Sequence, residues 1–328
     1  MHMREEFKHV RSRFDVTTFG EMLVRLSVPS GKRLENASQF DVYPAGAEAN
    51  VATLLARLER QTCWLGALPN NPLGRLAVNA LRTAGVNPGG VIWKDTGRMG
   101  AYYVEFGEPP RGIQVTYDRS YSCATQLQVD DIHWDSLLDT RLLHLTGITA
   151  ALSPSCLEIV TQAIQRAKEC DVAVSFDINY RQKLWSEADA AQTLLPLIQG
   201  VELLFCGQAD AERLFHCTGS MQEVAQGVLA LSKAKHVVVS FSDQGALLWD
   251  GTEWKHEPAR PTRIVDRLGA GDALAAGVIH GWLEGDLSAG LRYGVTLAAL
   301  ALSQAGDMVI TNESELLALS QGSSSLTR

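Results

Sequence analysis

Residues 266–277 read DRLGAGDALAAG. A Gly-Ala-Gly turn running into an apolar helical pattern leaves the first N–H groups of a helix unpaired, and such groups attract an anion. Asp272 nevertheless sets a negative charge beside them. Two readings follow. Asp is a common cap at helix N-termini. The other reading makes Asp272 a general base next to an anion hole built from the N–H groups of Gly269, Ala270 and Gly271. That pairing suits transfer of a phosphoryl group to a hydroxyl. The loop lacks the Lys-Ser/Thr ending of a Walker A motif.

Outward from this stretch, a strand is expected to end near Val265, and a long helix with small residues on one face is expected after the turn. The rest of the chain alternates short apolar runs with amphipathic segments. FDVTTFGEML, CWLGAL, LLHLTGI, VAVSFDI, VELLFC and HVVVSF read as strands. Helices are expected roughly over Ala47–Arg57, Pro72–Ala84, Pro154–Glu169, Ala188–Ile198, Ala209–Phe215 and Met221–Ser232. Such alternation specifies a mostly parallel sheet with helices on both faces, which binds ligands beyond the carboxyl ends of its strands. Two stretches, 23–46 and 99–122, instead alternate polar and apolar residues between turn residues. They read as β-hairpin material that pairs into a small sheet, a lid over the binding edge.

At 328 residues with 46% hydrophobic and 20% charged residues, the chain has the composition of a globular protein with a sizeable core. A net charge of −8 argues against a general electrostatic hold on nucleic acid or anionic membrane, while leaving room for local basic pockets. Six scattered cysteines without a C-x-x-C pair suggest reduced core thiols rather than disulfides or zinc. With no secretory signal and no membrane-length apolar run, the expected location is cytoplasmic. Residues 1–13 and 321–328 are expected to be flexible, leaving 14–320 as the domain.

A second motif, AGAEANVA at 45–52, closes a β-like stretch and opens a helix. Gly46 permits close backbone approach, and Asn50 can both donate to and accept from sugar hydroxyls, although an ordinary loop-to-helix start has the same pattern. Asp177 and Asn179 stand at a strand end, where capping competes with a role toward metal or sugar. His144, in an apolar strand, reads as a core histidine.

Together, AGAEANVA and DRLGAGDALAAG, with the α/β alternation between them, closely resemble the ribokinase-like (PfkB) carbohydrate kinases over about Phe14 to Leu319. The resemblance implies a doubly wound α/β domain with a β-sheet lid, ATP, Mg2+ and, as an optional addition, a monovalent cation. GEMLVRLS, GAYYVEF, TYDRSYS, LHLTGITAALS and FDINYRQKLW look like 2-keto-3-deoxygluconate kinases in particular. That likeness assigns Gly46, Tyr102, Tyr117, Arg119 and Arg181 to a sugar acid, with Ile148 lining its pocket. Arginine offers a carboxylate a planar bidentate partner that a neutral hexose does not require.

The chain departs from the family pattern at several points. Ala45 replaces the first glycine of a Gly-Gly pair, Gly207 stands where Asn or Ser is common, Asp210 where Glu is usual, and Ser242 where Gly is common. By resemblance, the nucleotide side comprises Gly207, Asp210, Ser240, Ser242, Gly245, Gly269 and Gly271, with Asp177 and Asp210 as candidates for the metal. The resulting expectation is a sugar-acid kinase acting on the terminal hydroxyl of 2-keto-3-deoxygluconate, with a homo-oligomer formed through the lid. A kinase for a neutral sugar such as fructose or ribose is the alternative, and a catalytically impaired sugar-binding protein on the same scaffold is a third.

Overall fold

Apolar runs rich in Val, Leu and Phe form the strands β1 (Phe14–Phe19), β2 (Leu23–Ser27), β3 (Asp41–Ala45), β4 (Thr62–Pro69), β5 (Asn87–Lys94), β6 (Gly100–Glu105) and β7 (Gln114–Asp118). They continue with β8 (Thr140–Thr146), β9 (Ala173–Asp177), β10 (Leu203–Gly207), β11 (His236–Ser240), β12 (Ala246–Trp249) and β13 (Trp254–Glu257). A computed structural model of the chain describes residues 12–29, 31–107 and 111–322. The termini expected to be flexible lie outside these residues except at their inner ends, where the Arg13 N–H donates to Asp139 Oδ1 at 2.8 Å.

Nine strands form one sheet in the order β13-β12-β11-β10-β9-β8-β1-β4-β5. Its pairings are parallel from β5 across to β11, and antiparallel only for β12 and β13. Period-two alternation sends neighbouring residues to opposite faces. Leu143, Leu204 and Val237 enter one core, while Leu142, Leu203 and Val238 enter the other. The second core is closed by the helices Ala47–Arg57, Ala270–Glu284 and Leu287–Leu302. The small residues expected on one face of the helix after the turn have a packing reason. A Cβ on Gly277 would lie 2.3 Å from the Gly294 N, and one on Gly281 would lie 2.2 Å from Gly290 Cα.

The remaining strands form a separate, smaller sheet in the order β3-β2-β6-β7, the one expected as a lid and called so below. Its two halves, 23–46 and 99–122, join through parallel pairing of β2 with β6. Leu23, Ala45, Tyr102 and Val104 are buried on the lid face that also meets Leu268, just before the Gly-Ala-Gly turn.

Several expectations need correction. FDVTTFGEML is not one strand: β1 stops at Phe19, the Gly20 N–H donates to Leu65 O, and Leu23 already belongs to the lid. No strand ends near Val265; β13 stops at Glu257 and the chain runs on as extended loop through Pro258 and Pro261. Proline cannot donate to a ladder, and Ile264 and Val265 are exposed there. The helices expected from 188 and 209 begin at Glu187 and Gln208. All six cysteines are free, as expected, and only Cys170 is exposed.

Ser242 has a φ of 52°, a left-handed conformation that costs an L residue about 1 kcal/mol relative to glycine. Its side chain is exposed and makes no hydrogen bond among the described residues. Ser242→Gly should therefore raise the unfolding free energy by about 0.5–1 kcal/mol, read from denaturant midpoints at unchanged slope. A destabilised variant would show that the serine contributes something beyond its backbone.

Candidate active site

Three of the residues singled out by sequence end parallel strands: Asp177 ends β9, Gly207 ends β10 and Ser240 ends β11, with Thr146 ending the neighbouring β8. The helix Ala270–Glu284 aims its N-terminus at them across a cavity of about 240 Å3, lined among others by Asp177, Asp210, Ser240, Arg267, Gly271 and Asp272.

Gly269 is the N-cap of that helix with φ 83°, and no side chain caps it. A Cβ there would lie 2.5 Å from Asp307 O, so both conformation and space require glycine. Among the described residues, the amides of Gly269, Ala270, Gly271 and Asp272 have no backbone acceptor; the first bond of the helix is Ala273 N to Gly269 O at 2.9 Å. Asp272 does not cap its own helix. Its Oδ2 accepts from Asn50 Nδ2 at 2.7 Å, across 222 residues of sequence. Half-buried, it is pushed up to about 7, chiefly by burial and further by the Asp307 and Glu48 carboxylates, while Asn50 and Arg181 oppose the rise. Asn50 is buried and its Oδ1 has no partner among the described residues.

Asp177 and Asp210 stand opposite. Burial and the neighbouring Asp272 and Asp210 charges push Asp177 up to about 8. Asp210 is also raised by burial, and its Oδ2 accepts from Tyr180 N at 3.1 Å. Neither aspartate forms an ion pair among the described residues. These are hard oxygen donors crowded by like charge, a donor set that fits a divalent cation held largely through water and phosphate oxygens. They are not a closed cage: the one three-ligand convergence among the described residues is elsewhere, at His280, Glu284 and Glu313. Arg60 already donates to His280 Nδ1 at 3.0 Å and to Glu284 at 2.8 Å there.

Two of the larger cavities that adjoin the first carry residues singled out by sequence. One, of about 810 Å3, shares Ser240, Arg267, Ala270 and Gly271 with it and adds Ser242 and Gly245. A Cβ on Gly245 would lie 2.0 Å from Glu257 O, so no other residue fits at that corner. The other, of about 600 Å3 beneath the lid, shares Arg181 and adds Tyr117, Arg119 and Lys183. Gly207 caps the helix Gln208–Phe215 and borders only the central cavity of the three.

The sugar-side residues are more committed than their sequence suggested. Arg119 is buried, and both its Nε and Nη2 donate to Glu21 Oε2, the former at 2.8 Å. Its Nη1 has no partner among the described residues. The Tyr102 hydroxyl donates to Asp307 Oδ2 at 2.6 Å, and its ring lies 5.6 Å from that of Tyr117. Gly46 is needed by the chain itself, since a Cβ there would lie 2.4 Å from Glu21 O. Ile148 is half-buried in the short helix Gly147–Ala150 and lines none of these three cavities. Arg181 is exposed, with Nη1 donating to Tyr180 O at 3.0 Å. His144 is a core residue, its ring Nδ1 2.9 Å from Ser175 Oγ, and burial lowers it to about 3.

Sequence reasoning passed over Glu21, Glu48, Asp266 and Asp307. Glu48 is buried and raised by burial, accepting from the Thr146 and Thr149 hydroxyls at 2.7 and 2.5 Å. Glu21, Glu48 and Asp266 lie inside stretches the sequence singles out, whereas Asp307 carries no local signal.

The pfkB family carbohydrate kinase pattern matches residues 13–315. The chain is 35% identical over 303 residues to a 2-dehydro-3-deoxygalactonokinase of Haloferax volcanii, covering 92% of this chain and 95% of that protein. It is 32% identical over 304 residues to a 2-dehydro-3-deoxygluconokinase of Bacillus subtilis, covering 90% and 92%. The crystal structure of a 2-dehydro-3-deoxygluconokinase from Thermotoga maritima superposes with a TM-score of 0.89 at 30% identity, over 94% of this chain and 99% of that one. The chain belongs to the pfkB family of carbohydrate kinases, phosphotransferases that act on an alcohol group.

Proposed function

We propose that the protein transfers the γ-phosphoryl group of ATP to the terminal hydroxyl of 2-keto-3-deoxygluconate. The observation that carries this reading is the placement of Asp272 and the free amides of residues 269–272 in one small cavity between a large cleft and a lid-covered pocket. The cleft with Ser240, Ser242 and Gly245 is the nucleotide side, and the pocket with Tyr117, Arg119 and Arg181 is the acceptor side.

In the transfer, the acceptor hydroxyl gives its proton to Asp272. Its oxygen forms the new bond to the γ-phosphorus as the bond from that phosphorus to the bridging oxygen breaks, and the electron pair leaves with ADP. Asn50 holds Asp272 Oδ2, which leaves Oδ1 to take the proton. The amides and the helix dipole receive the charge on the transferring group. Mg2+, which Asp177 and Asp210 would hold, supplies further screening of phosphate charge. The lid excludes water that would otherwise compete with the acceptor.

An acidic acceptor is favoured by charge. Arg119 keeps Nη1 free after pairing with Glu21, and Arg181 and Lys183 line the same pocket. A galacto-configured 2-keto-3-deoxy acid is the second reading, favoured by the similarity to the Haloferax volcanii enzyme. Side-by-side kcat/KM on the two epimers, with fructose and ribose as neutral controls, decides the acceptor. Faster turnover of a neutral sugar than of either acid would overturn the sugar-acid assignment and leave the kinase standing.

We also propose a homo-oligomer through the lid. Val42 is 48% exposed, and Phe40, Tyr103 and Ile113 add apolar surface nearby. Light scattering at micromolar concentration should report a species larger than one chain; a monomer alone rejects it.

Asp272→Asn removes the base while an amide can still pair with Asn50. Turnover should fall by a factor on the order of 10²–10⁴, with acceptor binding retained. Because Asp272 stands at about 7 in the free protein and must be ionised to accept a proton, kcat/KM should climb as pH rises through about 7. That limb should vanish from the residual activity of Asp272→Asn. A variant with near-normal turnover would reduce Asp272 to an ordinary polar contact.

Arg119→Lys keeps a charge for Glu21 but loses the planar fork. For a sugar acid, KM should rise about ten- to hundred-fold, with a much smaller change for a neutral sugar. Equal losses on both acceptors would make Arg119 a structural residue only.

A further inference from the structure

We infer that Arg267 binds the terminal phosphates of the nucleotide at the junction between the nucleotide cleft and the anion hole. The inference rests on the proposed reading of the 810 Å3 cleft as the nucleotide side. Arg267 lines that cleft, the central cavity that holds Asp272, and a third cavity of about 580 Å3 against the lid.

Its backbone is held on both sides. Asp266 is 1% exposed and accepts from Leu268 N at 3.0 Å and Gly306 N at 3.2 Å, besides pairing with Arg25. Val265 N donates to Leu302 O at 2.7 Å. Two residues further on, Gly269 is wedged over Asp307 O. The Arg267 side chain, by contrast, is exposed and makes no hydrogen bond or ion pair among the described residues. An exposed surface arginine is usually a solvated charge. This one stands on a rigid turn, two residues before amides that also lack acceptors, so two unpaired positive features face the same junction.

The charge pattern gives the direction. Asp177, Asp210 and Asp272 share the central cavity and oppose the entry of a polyphosphate. Arg181 borders that cavity and the lid pocket, whereas Arg267 borders it and the nucleotide cleft. The two guanidinium groups thus flank the transfer cavity from its acceptor and nucleotide ends. A planar fork suits two phosphate oxygens at once, which a lysine does not match.

The test is calorimetric titration of the wild type, Arg267→Gln and Arg267→Lys with ATP, ADP and AMP, with and without Mg2+. Thermal midpoints verify that the exposed substitutions leave the fold intact. Arg267→Gln should weaken ATP and ADP binding about ten-fold or more, with the lysine variant in between, and change AMP binding by less than about two-fold. Acceptor affinity should be unchanged. Equal ATP affinity in wild type and Arg267→Gln, or equal losses for AMP and ATP, would overturn the assignment. A wild type that binds none of the three nucleotides would instead overturn the reading of the cleft on which the inference rests.

Discussion

The guanidinium of Arg25 ties the smaller sheet to the turn that carries Gly269. It is fully buried, donates to Asp266 and to Asp307 Oδ1 at 2.7 Å, and sends Nε to Ser27 Oγ at 2.7 Å. The rings of Tyr43 and Phe106 lie about it at 5.3 and 5.4 Å. Burying one cation and two carboxylates is costly, and the attraction offsets that cost only when geometry is good and remaining lone pairs are used. Here they are. Asp266 also accepts the amides of Leu268 and Gly306, and Asp307 also accepts the Tyr102 hydroxyl. The network therefore joins strands β2 and β6 of the lid to the turn that carries Gly269. A turn held this way can keep its amides unpaired without collapsing onto a nearer acceptor.

Further polar groups are buried near the pocket that holds Arg119. Arg119 with Glu21, and Glu48 with its two threonines, sit within the angle between lid and sheet. Removing Glu21 would leave Arg119 an uncompensated buried charge, at a cost of about 3–5 kcal/mol. The groups left over, Nη1 of Arg119 and the guanidinium of Arg181, line the same cavity and are the ones the proposed function offers to a ligand.

Much of this was legible in the sequence where local rules dominate. Asn71 caps the helix Pro72–Ala84 and the left-handed Gly85 ends it, so its limits follow from neighbouring residues alone. The Gly-Ala-Gly turn and Asp272 were legible too, because a helix start has chemistry of its own. The partners were not. Asn50 meets Asp272 across 222 residues, and Tyr102 meets Asp307 across 205. No periodicity or cap records such contacts. The false strand near Val265 has a related cause: a short apolar run has no sheet neighbour to pair with, and only the tertiary fold decides that. The lid was foreseen as two excursions, but the parallel joining of β2 to β6 depends on where the body places them.

Competing electrostatic effects set the basicity of Asp272, the proposed base. The helix N-terminus beside it favours a negative charge by about 0.3–1 kcal/mol, and Asn50 and Arg181 act in the same direction. Burial and the nearby carboxylates act the other way. A rise from 3.8 to about 7 corresponds to roughly 4 kcal/mol, so burial wins clearly over the dipole. The outcome is a carboxylate more basic than a free aspartate yet still ionised in half the molecules near neutrality, which suits the proposed role of general base. A fully exposed aspartate in the same turn would be ionised but a feeble base. One sunk among apolar groups alone would stay protonated. On the proposed mechanism the carboxylate thus does not conflict with the unpaired amides beside it: the amides would take the phosphoryl charge, and burial tunes the neighbour that would take the proton.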